Sequence, residues 1–378
     1  MILYTAIAAI TIGLACFVEN RTTAYGGVCT RTQGMSRICY MAIFLVLFLL
    51  SALRLGVGND YGTYVTTCHE IFHNGYVVTE PGYNLVVKIL YTLSGKEDYL
   101  LMFAFFGFLT IFIFMKSMYD QSKHFAMSFF LFMTLGMYFR TFSTVRYYFV
   151  LAIVMYSLRY VVKKEYGKFV LLILLAATFH KSVLVVIPIY FIANRTWKKW
   201  QCVALVSIGV LAFVLKDYVM KLALFLYPSY KDTIYLSTET GILENASGIL
   251  RCLLVLGLCL YFYKKAIEKD DANRLYFNLN ILALLLYTCG SFLPLLSRFS
   301  YYLITPHIFL VPGIIFGKDV WDEGQEKKKK LVMAAVVVIG IIYFAMFLKI
   351  AYQDGVRVLP YKTFLFHEQE WLDATQIF

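Results

Sequence analysis

Apolar runs long enough to cross a membrane alternate with short polar stretches along most of this chain. Helical spans are expected at 1–18, 38–53, 99–118, 125–139, 145–162, 201–216, 248–263, 275–296, 299–317 and 331–350. A hydrocarbon core of roughly 30 Å takes about 20 helical residues, and in lipid every backbone amide needs a partner within the protein. The pattern therefore predicts an all-α, polytopic helical membrane protein of about ten spans. One further run, 169–193, is interrupted by His180-Lys181. A polar island, Arg54–Tyr83, breaks the pattern early and holds Arg54, Asp60, His69, Glu70, His73, Glu80 and several tyrosines. It reads as part of an external loop with short helices over 54–98. No internal repeat stands out, so 1–378 is expected to form a single integral membrane domain, with 351–378 as an external tail.

Composition agrees with that pattern. Of 378 residues, 60% are hydrophobic and only 15% charged, more apolar surface than a soluble domain can hide. The net charge of +12 does not point to nucleic acid. Lysines cluster between apolar runs, at Lys163-Lys164, Lys198-Lys199, Lys264-Lys265 and Lys327–Lys330, as cytoplasmic loops do. Anionic membrane lipids are sufficient partners for them. The eight cysteines, mostly inside apolar runs and without a CxxC pair, read as small buried hydrophobes. The first run has no basic residue before it, so it is expected to stay as the first span.

The charges also orient the chain. With Arg21, Arg31 and Arg37 inside, the polar island is outside, Lys116 and Lys123 are inside, Arg140 and Arg146 are outside, and Arg159, Lys163, Lys164 and Lys168 are inside. If 169–193 spans once, the three later lysine clusters all fall outside, against the rule. If it enters and returns on one side, all three fall inside. The charge bias thus favours a re-entrant pair of half-helices turning at Phe179-His180-Lys181, although one 25-residue helix is also long enough to span.

On this topology the outer face collects Arg54, Asp60 and Glu80 from the island and Arg140 and Arg146 from Arg140–Tyr148. It also collects His180 and Lys181, Arg298, and Pro360-Tyr361-Lys362. Taken singly, each charge is open to a plainer reading, as a side chain snorkelling to the head groups or a salt bridge to Asp60 or Glu80. Together on one face they point to chemistry. Arginine grips phosphate bidentately and stays charged. Tyrosine offers a ring face and a hydroxyl. Histidine can take a proton from an attacking hydroxyl near neutral pH. The combination suits a sugar joined to a lipid diphosphate. There is no P-loop and no Gly-rich dinucleotide fingerprint, which disfavours a sugar-nucleotide donor. His69 and His73 lie i, i+4 beside Glu70, a spacing open to a metal but read here as an exposed polar turn, with no metal and no cofactor expected.

The order Arg54-x-Gly-x-Gly-x-Asp60-Tyr61-x-x-Tyr64, Glu80-Pro-Gly-Tyr83, Arg146 opening a span, Phe179-His180-Lys181-Ser182 and Pro360-Tyr361-Lys362 resembles the EpsG family of bacterial exopolysaccharide proteins, related to Wzy-type polymerases. The resemblance runs from the second span to the tail. It implies a GT-C-like membrane glycosyltransferase, multi-pass in the bacterial cytoplasmic membrane. Such an enzyme moves a growing glycan from undecaprenyl diphosphate to the next lipid-linked repeat unit, for capsule or exopolysaccharide synthesis. Its implied partners are the undecaprenyl-diphosphate-linked oligosaccharide, with flippase and chain-length regulator proteins alongside. Arg54, Asp60, Tyr61, Glu80, Arg146 and His180 match the shared motifs. The roles attached are His180 as general base, Arg146 and Arg298 on the leaving diphosphate with Arg140 in support, and Asp60 and Glu80 as sugar ligands or alternative base. Substrate binding falls to Arg54, Tyr61, Glu80, Tyr83, Arg140, Lys181, Tyr361 and Lys362.

A flippase or transporter, a glycan ligase, an acyltransferase that modifies the polysaccharide and an export scaffold are the rivals. A flippase should line a path through the membrane middle, whereas these ionisable groups gather on one face. Cysteines placed at positions 199 and 329 are expected to resist external thiol labelling; external reactivity at both rules out re-entry of 169–193.

Overall fold

The computed structural model describes residues 1–19, 31–226, 245–293, 296–353 and 355–367. Arg21 and the end of the tail, 368–378, lie outside the described residues, as do the side chains of Arg31 and Lys199. Among the described residues the chain is helical and forms no strand; one antiparallel bridge joins Arg54 to Thr363.

In chain order the helices are α1 Ile2–Ala15, α2 Arg31–Ala52, α3 Tyr61–Phe72, α4 Pro81–Ser94, α5 Tyr99–Gln121, α6 Phe125–Thr134, α7 Met137–Arg140, α8 Val145–Val162 and α9 Tyr166–Ala177. There follow α10 Val186–Ala193, α11 Lys199–Val214, α12 Lys216–Leu226, α13 Ala246–Tyr261, α14 Asp271–Cys289, α15 Leu296–Ile304, α16 His307–Ile315 and α17 Glu326–Ile350. Four are long and apolar enough to cross a membrane: Thr32–Ala52 within α2, then α5, α8 and α17. Trp200–Val214 and Lys216–Leu222 make a fifth if the pair, bent by 88°, counts as one span. The chain is therefore a membrane protein. Its lipid-facing stripes are visible where apolar side chains lie exposed at helical spacing, as with Ile38, Met41, Leu45 and Leu49 on α2.

Other expected spans fold as shorter or broken helices. The run 299–317 divides into α15 and α16 at Thr305-Pro306, where proline has no amide hydrogen to continue the ladder. The run 169–193 is interrupted at Thr178-Phe179-His180, where the sequence places its break, and resumes as a 3-10 turn, Lys181–Val185, leading into α10. The bend at Leu215 falls at the end of the expected span 201–216, just before Lys216-Asp217.

Two compact units divide the chain: Met1–Arg159 with Gly167–Leu184 and Trp321–Phe378, and Tyr160–Tyr166 with Val185–Val320. The second is arranged around α14. Asp270 caps that helix, its carboxylate accepting from the amides of Ala272 and Asn273. Buried asparagines on α14 then donate to carbonyls of neighbouring segments, those of Ala266, Ala193 and Arg195 at or just past helix ends and that of Cys252 within α13. Asn273 donates to Ala266 at 3.1 Å, Asn278 to Ala193 and Arg195 at 2.8 Å each, and Asn280 to Cys252 at 3.1 Å.

In the first unit, the tail is stitched to the polar island. The Leu55 amide donates to the Lys362 carbonyl (2.9 Å), the Gly58 amide to Arg357 (2.8 Å) and the Phe364 amide to Leu53 (3.2 Å). Tyr361 donates to the Leu50 carbonyl at 2.9 Å, and Tyr4 of α1 to Val358 at 2.6 Å. Gly58, whose amide reaches the tail, also lies close against the segment before α8. It sits at φ +111°, and an added Cβ would stand 2.2 Å from the Phe142 carbonyl oxygen. Gly58→Ala is expected to cost at least about 1–3 kcal/mol through backbone strain alone, measured as a lower midpoint of thermal unfolding in detergent.

Candidate functional site

The arrangement that gathers most of the expected site residues starts at the head of α8. Tertiary contacts hold Arg146, in the first turn of that helix, on three sides. Its Nη1 donates to the Glu80 carboxylate in a close ion pair. Its guanidinium lies over the ring of Tyr83 at 5.2 Å and that of Tyr64 at 5.8 Å. Its backbone amide donates to the Tyr64 hydroxyl at 3.1 Å. Charge, ring faces and backbone thus agree on one orientation.

Glu80 is placed by its own helix. It stands at the N-cap of α4, extended at ψ 147°, and Pro81 follows at the first helical position. Its side chain makes no capping bond. Instead one carboxylate oxygen takes Arg146, and the other accepts from the Lys181 amide at 3.2 Å. Glycine at 82 is needed for that second contact. The Gly82 amide donates to the Thr178 carbonyl at 2.9 Å, and a Cβ there would come 2.8 Å from that carbonyl oxygen and 2.4 Å from the Thr178 hydroxyl. The Glu80-Pro-Gly motif therefore docks the start of α4 onto the helix break at 178–180.

His180 lies in that break and is buried. Its ring meets Tyr147 edge to face at 5.6 Å, and its Nδ1 is 3.2 Å from the Ser182 hydroxyl. Phe179 beside it packs on Phe106 and Phe149. The side chain of Lys181 is exposed, so the contact with Glu80 uses the Lys181 backbone alone.

The remaining island residues form the support. Arg54 is only 1% exposed, with Nη1 donating to the carbonyl (2.7 Å) and hydroxyl (2.9 Å) of Ser51. Its guanidinium faces Phe103 at 4.7 Å and Phe142 at 5.1 Å. Asp60 caps α3 by position without a side-chain capping bond and is half-buried. Tyr61 stacks on Phe103 at 4.5 Å, and Tyr83 is wholly buried beside Cys68. Burial pushes the phenols of Tyr61, Tyr64 and Tyr83 up and the Cys68 thiol up to about 11, so all four are neutral at physiological pH. Arg140, at the end of α7, lies 5.4 Å from the Phe347 ring of α17. Tyr361 and Lys362 belong to the stitched tail. Arg298 lies on α15 in the other unit and is half-buried there.

The structure thus brings Glu80, Arg146, Tyr83 and the Lys181 backbone into one chain of contacts, with His180 adjoining Lys181 in the helix break. Reasoning from sequence passed over Tyr64, Ser182, Thr178 and Tyr147 as site residues. The Tyr61-x-x-Tyr64 spacing was a usable signal, because residues three apart share a helix face. Nothing local in the sequence marks Thr178, since its part depends on a glycine 96 positions earlier in the chain, by subtraction of 82 from 178.

A family model described as EpsG family matches residues 37–363. No curated protein and no solved structure matches the chain.

The ion pair between Glu80 and Arg146 is expected to show coupling of about 0.5–3 kcal/mol. A double-mutant cycle with Glu80→Gln and Arg146→Gln, read by unfolding midpoints in nanodiscs, measures it; additive effects would reduce the two to incidental neighbours.

Proposed function

From the premise that this chain belongs to the EpsG family, we propose that it is a Wzy-type polysaccharide polymerase, a glycosyltransferase acting on undecaprenyl-diphosphate-linked repeat units. The observation that carries the reading is the single contact chain from Arg146 through Glu80 to the His180 break. It sets a held guanidinium and an imidazole on neighbouring elements. In this proposal the protein is one integral membrane domain of GT-C-like fold in the bacterial cytoplasmic membrane. Its spans number about ten, as the apolar runs count, with a re-entrant pair around the 178–180 break. The island 54–98 and the tail face outward.

The step is a displacement at the anomeric carbon of the growing glycan. A sugar hydroxyl of the incoming lipid-linked unit attacks that carbon, the carbon–oxygen bond to the lipid diphosphate breaks, and the hydroxyl proton passes to His180. The diphosphate departs with both bonding electrons, its charge met by Arg146, with Arg140 in support. Glu80 acts on Arg146 by fixing the plane of its guanidinium. That role differs from direct sugar binding and leaves Asp60 as the carboxylate for sugar hydroxyls or as the alternative base. Arg54, Tyr61 and Tyr83 hold the wall from behind, while Lys181, Tyr361 and Lys362 lie along the substrate side. No sugar nucleotide or cofactor enters the step, and flippase and chain-length regulator proteins supply and limit the substrate.

Reconstitution with a lipid-linked repeat unit tests this. Wild type is expected to build a ladder of longer glycans. His180→Ala should lower the rate by about 10²–10⁴-fold, the usual worth of a general base, at normal membrane level. Arg146→Lys should also fail, because an ammonium cannot make the bidentate contact. Full activity of His180→Ala moves the base to Asp60. Movement of the lipid-linked unit across the bilayer without a ladder would overturn the polymerase in favour of a transporter.

A further inference from the structure

The island holds a second group of polar residues, apart from the Arg146 contacts. His69, in the last turn of α3, and His73, its C-cap residue, are i, i+4 and lie on one side of the helix end. Their ring centroids are 4.4 Å apart. Both side chains are exposed, at 53% and 56%. Between them reaches a carboxylate from elsewhere in the chain. Glu97 follows the left-handed Gly95 that ends α4 and precedes Asp98, the N-cap of α5. Its oxygens lie 3.1 and 3.2 Å from His69 Nδ1 and 3.8 Å from His73 Nε2. One ligand atom from each of the three residues falls within 4.8 Å of the others.

These spacings match a coordination polyhedron. Zinc bonds of about 2.0–2.1 Å to histidine nitrogen and carboxylate oxygen give tetrahedral edges of about 3.3–3.4 Å. The two carboxylate–imidazole separations, 3.1 Å to His69 and 3.8 Å to His73, lie on either side of that length, and the edge between the two imidazole nitrogens is within 4.8 Å. The donor set is two imidazole nitrogens and one carboxylate oxygen, suited to a borderline first-row metal and not to magnesium or calcium, which prefer oxygen. Glu70, the neighbour that sequence spacing offers as a third ligand, turns away and lies over Gly75.

We propose that His69, His73 and Glu97 bind a zinc-class divalent cation, with water in the fourth position. Zinc at this point joins the end of α3 to the α4–α5 junction. Those two helices present Tyr64 and Glu80 to Arg146, so the metal acts as a staple behind them and not as a reacting centre. The staple does not depend on the polymerase reading, because its ligands touch none of the Arg146 or His180 contacts.

The test uses the full-length protein in nanodiscs, stripped with a chelator and titrated calorimetrically with zinc chloride. One high-affinity zinc per chain is expected, with a rise in unfolding midpoint that magnesium does not produce. Cobalt should give the absorption bands of a tetrahedral site. His69→Ala, His73→Ala and Glu97→Gln should each weaken zinc by at least about tenfold, since even outer-shell partners of a metal are worth that much. Because the histidines are exposed, the alanine variants should keep the wild-type elution volume and their metal-free unfolding midpoint. Glu97→Gln keeps a hydrogen-bonding group but is a poor metal ligand, which separates a metal site from an ordinary hydrogen-bonded trio. Absence of zinc binding, or wild-type affinity in Glu97→Gln or in either histidine variant, overturns the proposal.

Discussion

The first unit turns on the Arg146–Glu80 ion pair. A guanidinium at the head of an apolar helix is costly unless its charge is met, and here a carboxylate from α4 meets it between two tyrosine faces. The pair joins two helices that share no local sequence. The same carboxylate then reaches the Lys181 amide, so one side chain positions α4, α8 and the break before Lys181. Held by a carboxylate and two ring faces, the guanidinium keeps one orientation.

Two glycines let the backbone come close enough for this to happen. Gly82 admits the Thr178 carbonyl, and Gly58 admits Phe142 while its amide reaches the tail. Between them the polar island is tied on one side to the helix break and on the other to 355–364. The short helices expected in this loop are present as α3 and α4. They bury their tyrosines and leave a histidine pair at the far end.

Arg54 and Arg146 illustrate how alike two residues look in sequence and how differently they fold. Both are arginines next to apolar runs. Arg54 is sealed between Phe103 and Phe142, its Nη1 held by Ser51, while Arg146 faces a carboxylate and keeps more contact with solvent. Burial is a property of the neighbours, and the neighbours come from α5 and the segment before α8. Glu70 and Glu97 differ in the same way. Proximity along the helix favoured Glu70 beside the histidines, whereas chain reversal after Gly95 delivers Glu97.

By itself the sequence determined the all-helical membrane class, an interruption near His180 and the motif residues that converge in the first unit. These follow from hydropathy and from side-chain chemistry, which are local. Only the tertiary structure decided that Glu80 belongs to Arg146 and that the tail pairs with the island. Each of these depends on contacts between segments far apart in the chain. Hydropathy measures how apolar a segment is but not what it packs against, so it cannot carry that information.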